Sequence, residues 1–395
     1  MTETIVRLAA RGDGVSDAGR FFPLAAPGDR IGEGDSIVAG PHRVVPPCRH
    51  FPECGGCQLQ HVDDAAFAAF LGDRIVSALA SQGLAAPVLL PAHLSPPNSR
   101  RRTALSARRA GKQVLLGFNA EASHQIVDMR ECHILRPELF ALVAPLRALL
   151  ARLLPQRGSG GVRMSLCDQG VDVLLEKVEV SGLAGSEAVT DFASTHGVAR
   201  LAIDDGYGAQ TLWEPEPLSV TLGGVPVPLP HAAFLQATVE GEAALVAGVR
   251  DAIGDARLIA DLFAGLGTFG LSLEGRIYAA EGSRDAALAL KAAANRAQRS
   301  LFVDHRDLYR RPLDAAELGR FEAVVLDPPR AGAREQADLL TKADLPRIAY
   351  VSCNPSTFAR DAKILSEGGW RLDWVRPVGQ FRWSTHVELV ASFSR

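Results

Sequence analysis

No stretch of about 18 apolar residues occurs in this 395-residue sequence, so nothing in it reads as a membrane-spanning helix. Its opening, MTETIVRLAARGDG, lacks a basic stretch followed by an apolar core and a small-residue cleavage site, so no secretory signal is read there and a cytoplasmic protein is expected. Charge of one sign is missing too. The formal net charge is −3, which announces no polyanionic partner, although a nucleic-acid enzyme needs only a local basic surface. Internal repeats and low-complexity segments are absent, and 47% hydrophobic with 22% charged residues is the balance of a folded globular chain. Cysteine is scarce: there are six, Cys48, Cys54, Cys57, Cys132, Cys167 and Cys353. A reducing compartment disfavours structural disulfides, so metal ligation or catalysis is their expected use.

A chain of this length exceeds what one hydrophobic core usually supports, and three regions are expected. Residues 1–46 alternate short apolar runs with Gly and Pro and read as a short β-rich segment closed by Pro46 and Pro47. Residues 47–230 mix strand-like runs (QVLLGF, VRMSL, VDVLLEKVEV) with a helical stretch at PELFALVAPLRALLARLL, an α+β middle domain. Within it, Phe67, Phe70, Leu71, Ile75 and Leu79 share one face of a helix predicted over 65–80. Arg100, Arg101 and Arg102, with Arg108, Arg109 and Lys112, form a basic run that serves either as a solvated face or as a contact for phosphates. From 231 to 395, apolar strands (RLIADLF, GRIYAAE, FEAVVLDPP, RIAYVSCNP) alternate with helix-compatible segments, the pattern of an α/β, Rossmann-like parallel sheet.

The run Leu258–Phe263 contains Asp261 and continues through Ala264, Gly265, Leu266, Gly267, Thr268, Phe269 and Gly270. Glycines there let a turn pass close to a ligand and open a helix whose N–H groups face it. Glu281, 20 positions beyond Asp261 at the end of the next strand, is placed to accept two ribose hydroxyls, and Asp307 follows the third run at the adenine end. An NAD site has the same spacing. Two further segments separate the possibilities. Asp327-Pro328-Pro329-Arg330 makes a rigid polar loop at a strand end, and Cys353 sits in VSCNPSTFARD, where a helix N-terminus favours a thiolate.

Thirty-five positions after Cys353 comes Glu388, in STHVELV. DLFAGLGTFG, DPPR, SCNP and HVELV in that order closely resemble the RNA uracil-C5 methyltransferase family. The resemblance implies a class I methyltransferase domain that uses S-adenosylmethionine, with Cys353 as nucleophile and Glu388 as base. It implies cofactor contacts from Gln236, in the FLQ segment that begins at Phe234, and from Asp261, Phe263, Gly265, Gly267, Thr268, Glu281, Asp307 and Asp327. Both catalytic residue types are chemically required, because C5 of uracil becomes nucleophilic only after addition at C6, and a base must then remove the C5 proton. Cys167 is read as a packing residue.

Cys48, Cys54 and Cys57 lie in CRHFPECGGC, and Cys132 follows in MRECHIL. Four thiolates, three close together and one distant, suit zinc or an iron–sulfur cluster. The family resemblance selects a 4Fe-4S cluster and the branch acting on 23S rRNA, with tRNA as the alternative substrate and a monomer as the expected state. The N-terminal segment resembles a shortened form of the small β-barrel RNA-binding module of that family, which leaves more of the phosphate contact to the arginines near Arg100. A second class of function is an inactive RNA-binding scaffold, against which stand the intact Cys353, Glu388, Asp261 and Glu281.

Overall fold

The computed structural model describes residues 3–395. Apolar runs with little alternation bury both faces of a strand, and in the C-terminal half they form one sheet. Its strands are Leu258–Leu262 (β1), Arg276–Glu281 (β2), Leu301–His305 (β3), Ala323–Leu326 (β4), Arg347–Ser352 (β5), Arg371–Gly379 (β6) and Glu388–Ser394 (β7). They lie in the order β3-β2-β1-β4-β5-β7-β6. The first five are parallel, whereas β7 runs antiparallel between β5 and β6. The chain order reverses between β1 and β4, and the carboxyl ends of strands at such a switch point open a crevice.

Each face of the sheet is covered by helix. Leu245 and Val249 of the Val239–Ile253 helix meet Ile259, Val325 and Val390 on one side. On the other, Phe67, Phe70, Leu71, Ile75 and Leu79 join Phe358, Val375 and Phe393. Those first five residues belong to the helix Asp64–Ser81, whose N-cap Asp63 accepts from Ala66 N at 2.8 Å. The short strands Val88–Leu89 and His93–Leu94 then extend β6 in parallel. Residues 63–95 therefore pack with the C-terminal sheet rather than with the middle region in which the sequence pattern puts them. An amphipathic helix reveals its apolar face, but not the surface that covers it.

The middle region is a six-stranded mixed sheet in the order Gln210–Trp213, Arg200–Asp204, Gly170–Glu176, Ser159–Cys167, Arg102–Ala110, Gln113–Gly117. The helices Val143–Leu153 and Gly182–Thr195 close its core around Leu146, Leu150, Val189 and Val173. The hairpin Ser219–Leu222/Val225–Pro228 packs on the Arg284–Arg296 helix of the C-terminal unit. Residues 3–38 form a five-stranded antiparallel sheet around Ile5, Phe22, Ala25 and Ile31.

Candidate active site and cysteine cavity

Cys353 follows β5 directly and is half-buried. Asn354 caps the Pro355–Glu367 helix by accepting from Ser356 N at 3.1 Å, and its amide donates to Arg330 O at 3.0 Å. The SCNP turn and the DPPR loop are thereby clasped together. Glu388 opens β7 opposite Val378 and is 6% exposed. Burial raises its carboxyl to about 7, against the amide of Gln380 and the charges of Arg102 and Arg330. Burial, then Glu388 and Asp327, push the Cys353 thiol up to about 11, with Arg330 opposing. The expected thiolate preference is therefore absent in the free site. A helix end contributes about 0.3–1 kcal/mol at such positions, less than two carboxyl neighbours and burial remove.

Asp327, after β4, is raised well above the carboxylate range by burial and by the charges of Glu388 and Asp261. Gln236 is 3% exposed; its Nε2 faces Asp327 Oδ2 at 3.5 Å, and its Oε1 accepts from Gln380 Nε2 at 2.9 Å. Cys353, Glu388, Asp327 and Gln236 thus share one centre, as the motif order anticipates.

Phe263, Gly265, Gly267 and Thr268 shape the turn after β1. Phe263 has φ +65 and its ring lies 5.5 Å from that of Tyr309. Gly267 has φ +93, and a Cβ there would come within 2.4 Å of Leu290 Cδ1. The loop continues as successive turns rather than as the expected helix, with Leu271 N bonded to Gly267 O at 2.9 Å and Leu273 N to Phe269 O at 3.0 Å. Closely spaced glycines and the short run to β2 leave no length for regular helix.

Glu281 ends β2, where its carboxylate accepts from Gly265 N at 2.7 Å and Ser283 N at 2.6 Å. Asp261 is fully buried; it accepts from Gly270 N at 2.8 Å and holds the loop from below, and burial raises its carboxyl to about 7. Its Oδ1 has no partner. Asp307 is exposed after β3 and accepts from Tyr309 N at 3.0 Å.

The basic run divides: Arg101 is buried, Arg100 and Arg102 are half-buried beside the site, and Arg108 and Lys112 are exposed. Arg101 is 5% exposed, pairs with Glu242 at 2.5 Å and donates to Gln236 O at 3.0 Å, joining the middle region to the catalytic one. Arg102 lies 4.6 Å over the Phe234 ring beside Glu388 and Cys353, and burial with Arg100 alongside lowers it to about 10. Strand alternation hides this in sequence, since a basic run gives no sign of which surfaces approach it. Arg102 and Gln380 are site residues that the sequence reading missed; neither sits in a motif.

Cys48, Cys54, Cys57 and Cys132 line a single cavity with Phe118, Met129 and Ile134, and all six cysteines of the chain are free. Cys167 lies elsewhere, bonded to Gly170 O at 3.1 Å. Among the described residues, no three or more His, Cys, Asp or Glu side chains converge closely enough to hold a single ion. Backbone bonds from Gln58 N and Leu59 N to Trp383 O, at 2.8 and 2.9 Å, tie this loop to the segment leading into Glu388.

The tRNA (Uracil-5-)-methyltransferase family profile matches residues 300–394. An uncharacterized RNA methyltransferase of Zymomonas mobilis is 54% identical over 393 residues, with 99% of each chain covered. The 23S rRNA (uracil(1939)-C(5))-methyltransferase RlmD of Pectobacterium atrosepticum is 30% identical over 373 residues, covering 90% of this chain and 81% of that one. Pyrococcus abyssi tRNA (uracil-54, C5)-methyltransferase, solved in complex with S-adenosyl-L-homocysteine, shares the fold at a TM-score of 0.76 with 21% identity over 100% of both chains. No helix among the described residues is long and apolar enough to cross a membrane. With a switch-point crevice lined by the four motifs and relatives that match nearly end to end, the chain belongs to the RNA (uracil-5-)-methyltransferase family.

Proposed function

We propose that the protein transfers a methyl group from S-adenosylmethionine to C5 of a uridine in 23S rRNA, through a covalent bond between Cys353 and C6. The observation that carries this reading is the meeting of half-buried Cys353 and buried Glu388 at the ends of neighbouring strands, flanked by Asp327 and Arg102.

Cys353 Sγ, once deprotonated, adds to C6, and the C5–C6 π pair becomes an enolate. C5 takes the methyl group as the carbon–sulfur bond of the sulfonium breaks, leaving S-adenosylhomocysteine. Glu388 accepts the C5 proton, the Sγ–C6 bond breaks, and 5-methyluridine results. A carboxyl poised at about 7 suits that proton transfer near neutral pH. Asp327, Asp261, Glu281, Gly265, Gly267, Thr268, Phe263 and Gln236 would border the cofactor in the crevice, with Asp307 at its outer end. The uridine must leave its stack for C5 and C6 to be reached in this way.

Cys48, Cys54, Cys57 and Cys132 border one cavity, and the family resemblance favours a 4Fe-4S cluster over zinc as what they would hold. Such a group would hold residues 48–57 against the middle region, and methyl transfer itself is redox neutral. The RlmD relative and the four cysteines favour ribosomal RNA over transfer RNA. RNA carrying fluorine at C5 of uridine tests the covalent route, since Glu388 has no proton to remove after methylation. A methylated RNA–protein adduct that survives denaturation, and that Cys353→Ala abolishes, is expected. Full turnover by Cys353→Ala would overturn the route and favour another chemistry of methyl transfer.

A further inference from the structure

Gln380 lies in the turn after β6, 1% exposed, and every polar atom of its side chain is engaged. Oε1 accepts from Ala237 N at 2.8 Å, and Nε2 donates to Gln236 Oε1 at 2.9 Å; the same amide faces the Glu388 carboxylate and favours its ionised form. Oε1 can only accept and Nε2 can only donate, so this arrangement fixes Gln236 in one of its two amide orientations, the one that turns Nε2 toward Asp327. The Val239–Ile253 helix makes room for it: a Cβ on Gly241 would lie 2.6 Å from Gln380 Cβ.

We propose that Gln380 is a positioning residue for methyl transfer, whose single amide sets both the orientation of Gln236 and the placement of the Glu388 carboxylate. The inference rests on the reading of Cys353 and Glu388 given above. One amide reaching both groups couples the cofactor side of the crevice to the proton-accepting side. The other groups facing Glu388 are Arg102 from the middle sheet, Arg330 from the loop after β4, Asp327 and Cys353; of these, Asp327 also meets Gln236, as the acceptor of its Nε2 at 3.5 Å.

Two variants of the anaerobically purified 395-residue protein test this, with Cys353→Ala run alongside. Gln380→Met keeps the volume and removes every hydrogen bond, whereas Gln380→Glu keeps the acceptor for Ala237 N and removes both donors. The expectation for both is a kcat reduced about tenfold or more, with KM for RNA changed less than about threefold. The ascending limb of the kcat–pH profile should move upward by roughly one pH unit, because an amide that favours the ionised carboxyl is gone, and raising the pH should restore part of the rate. The shift should be larger for Gln380→Glu. A wild-type rate and pH limb in Gln380→Glu would overturn the proposal and leave only a structural bond to Ala237. An inactive Cys353→Ala beside unaffected Gln380 variants refutes this inference alone; an active Cys353→Ala refutes the underlying reading.

Discussion

Glu388 ionises only near pH 7 in the folded chain, against 4.5 for an ordinary glutamate, because burial opposes its charge. A carboxyl with a raised folded-state pKa stabilises the fold fully below the ordinary value, and that contribution is lost as the pH climbs through about 7. Between pH 5 and pH 8 the wild type should lose about 2 kcal/mol more stability than Glu388→Gln, which cannot ionise. Thermal unfolding of both proteins at the two pH values checks this, and parallel losses would mean that Glu388 is hydrated. The same variant should lower kcat by about 100-fold or more while still forming the Cys353 adduct, which would be visible as RNA retained on a denaturing gel. At this scale the sequence is informative where chemistry is compressed into a short segment. Cys353 in SCNP and Glu388 in HVELV could be read directly. Gln380 and Arg102 could not, because each reaches the site from an element whose neighbours only the fold reveals.

The turn after β1 shows how local chemistry positions a binding surface. Gly267 combines φ +93 with a space already filled by Leu290 and Leu271. Gly267→Ala should therefore cost about 1–3 kcal/mol and weaken S-adenosylhomocysteine binding measured by calorimetry; wild-type binding would show that the turn does not border the cofactor. Beneath the DPPR loop, fully buried Asp361 accepts from Ala333 N at 2.7 Å and Tyr350 Oη at 2.6 Å. Asp361→Ala leaves both donors unpaired, and a loss of roughly 2–4 kcal/mol is expected on chemical denaturation. The strands were legible as runs such as FEAVVL because two-sided burial demands continuous apolar sequence. The Asp64–Ser81 helix was legible from the spacing of Phe67, Leu71 and Ile75, but its partner was not, since periodicity carries no information about a surface some 300 residues away. The helix expected after Gly270 failed for the opposite reason: glycines that permit the turn also deprive the following segment of helical stability.

Across the whole molecule, the cysteine cavity and the catalytic crevice are mechanically joined. Trp383 is bonded to Gln58 and Leu59, and its side chain packs in the same core as Cys57. The Arg100 guanidinium stands 5.7 Å from the Phe118 ring, which lines the cavity, and 5.5 Å from the Phe381 ring, next to Gln380. With the proposed cluster in the cavity, treating anaerobically purified protein with an iron chelator should expose residues 48–59 to proteolysis and slow adduct resolution more than cofactor binding; unchanged proteolysis and turnover would contradict a role for such a cluster in holding the loop. The buried ion pair Arg101–Glu242 joins the middle region to the C-terminal one, so one member of the basic run serves as internal scaffolding while Arg108 and Lys112 stay exposed. The measurement that bears most directly on the account is incubation of anaerobically purified protein with labelled S-adenosylmethionine and unmodified total RNA, followed by nucleoside analysis of separated ribosomal and transfer fractions. The account predicts label as 5-methyluridine in 23S rRNA and none with Cys353→Ala. Label in a different nucleoside, or none in any fraction, would contradict it.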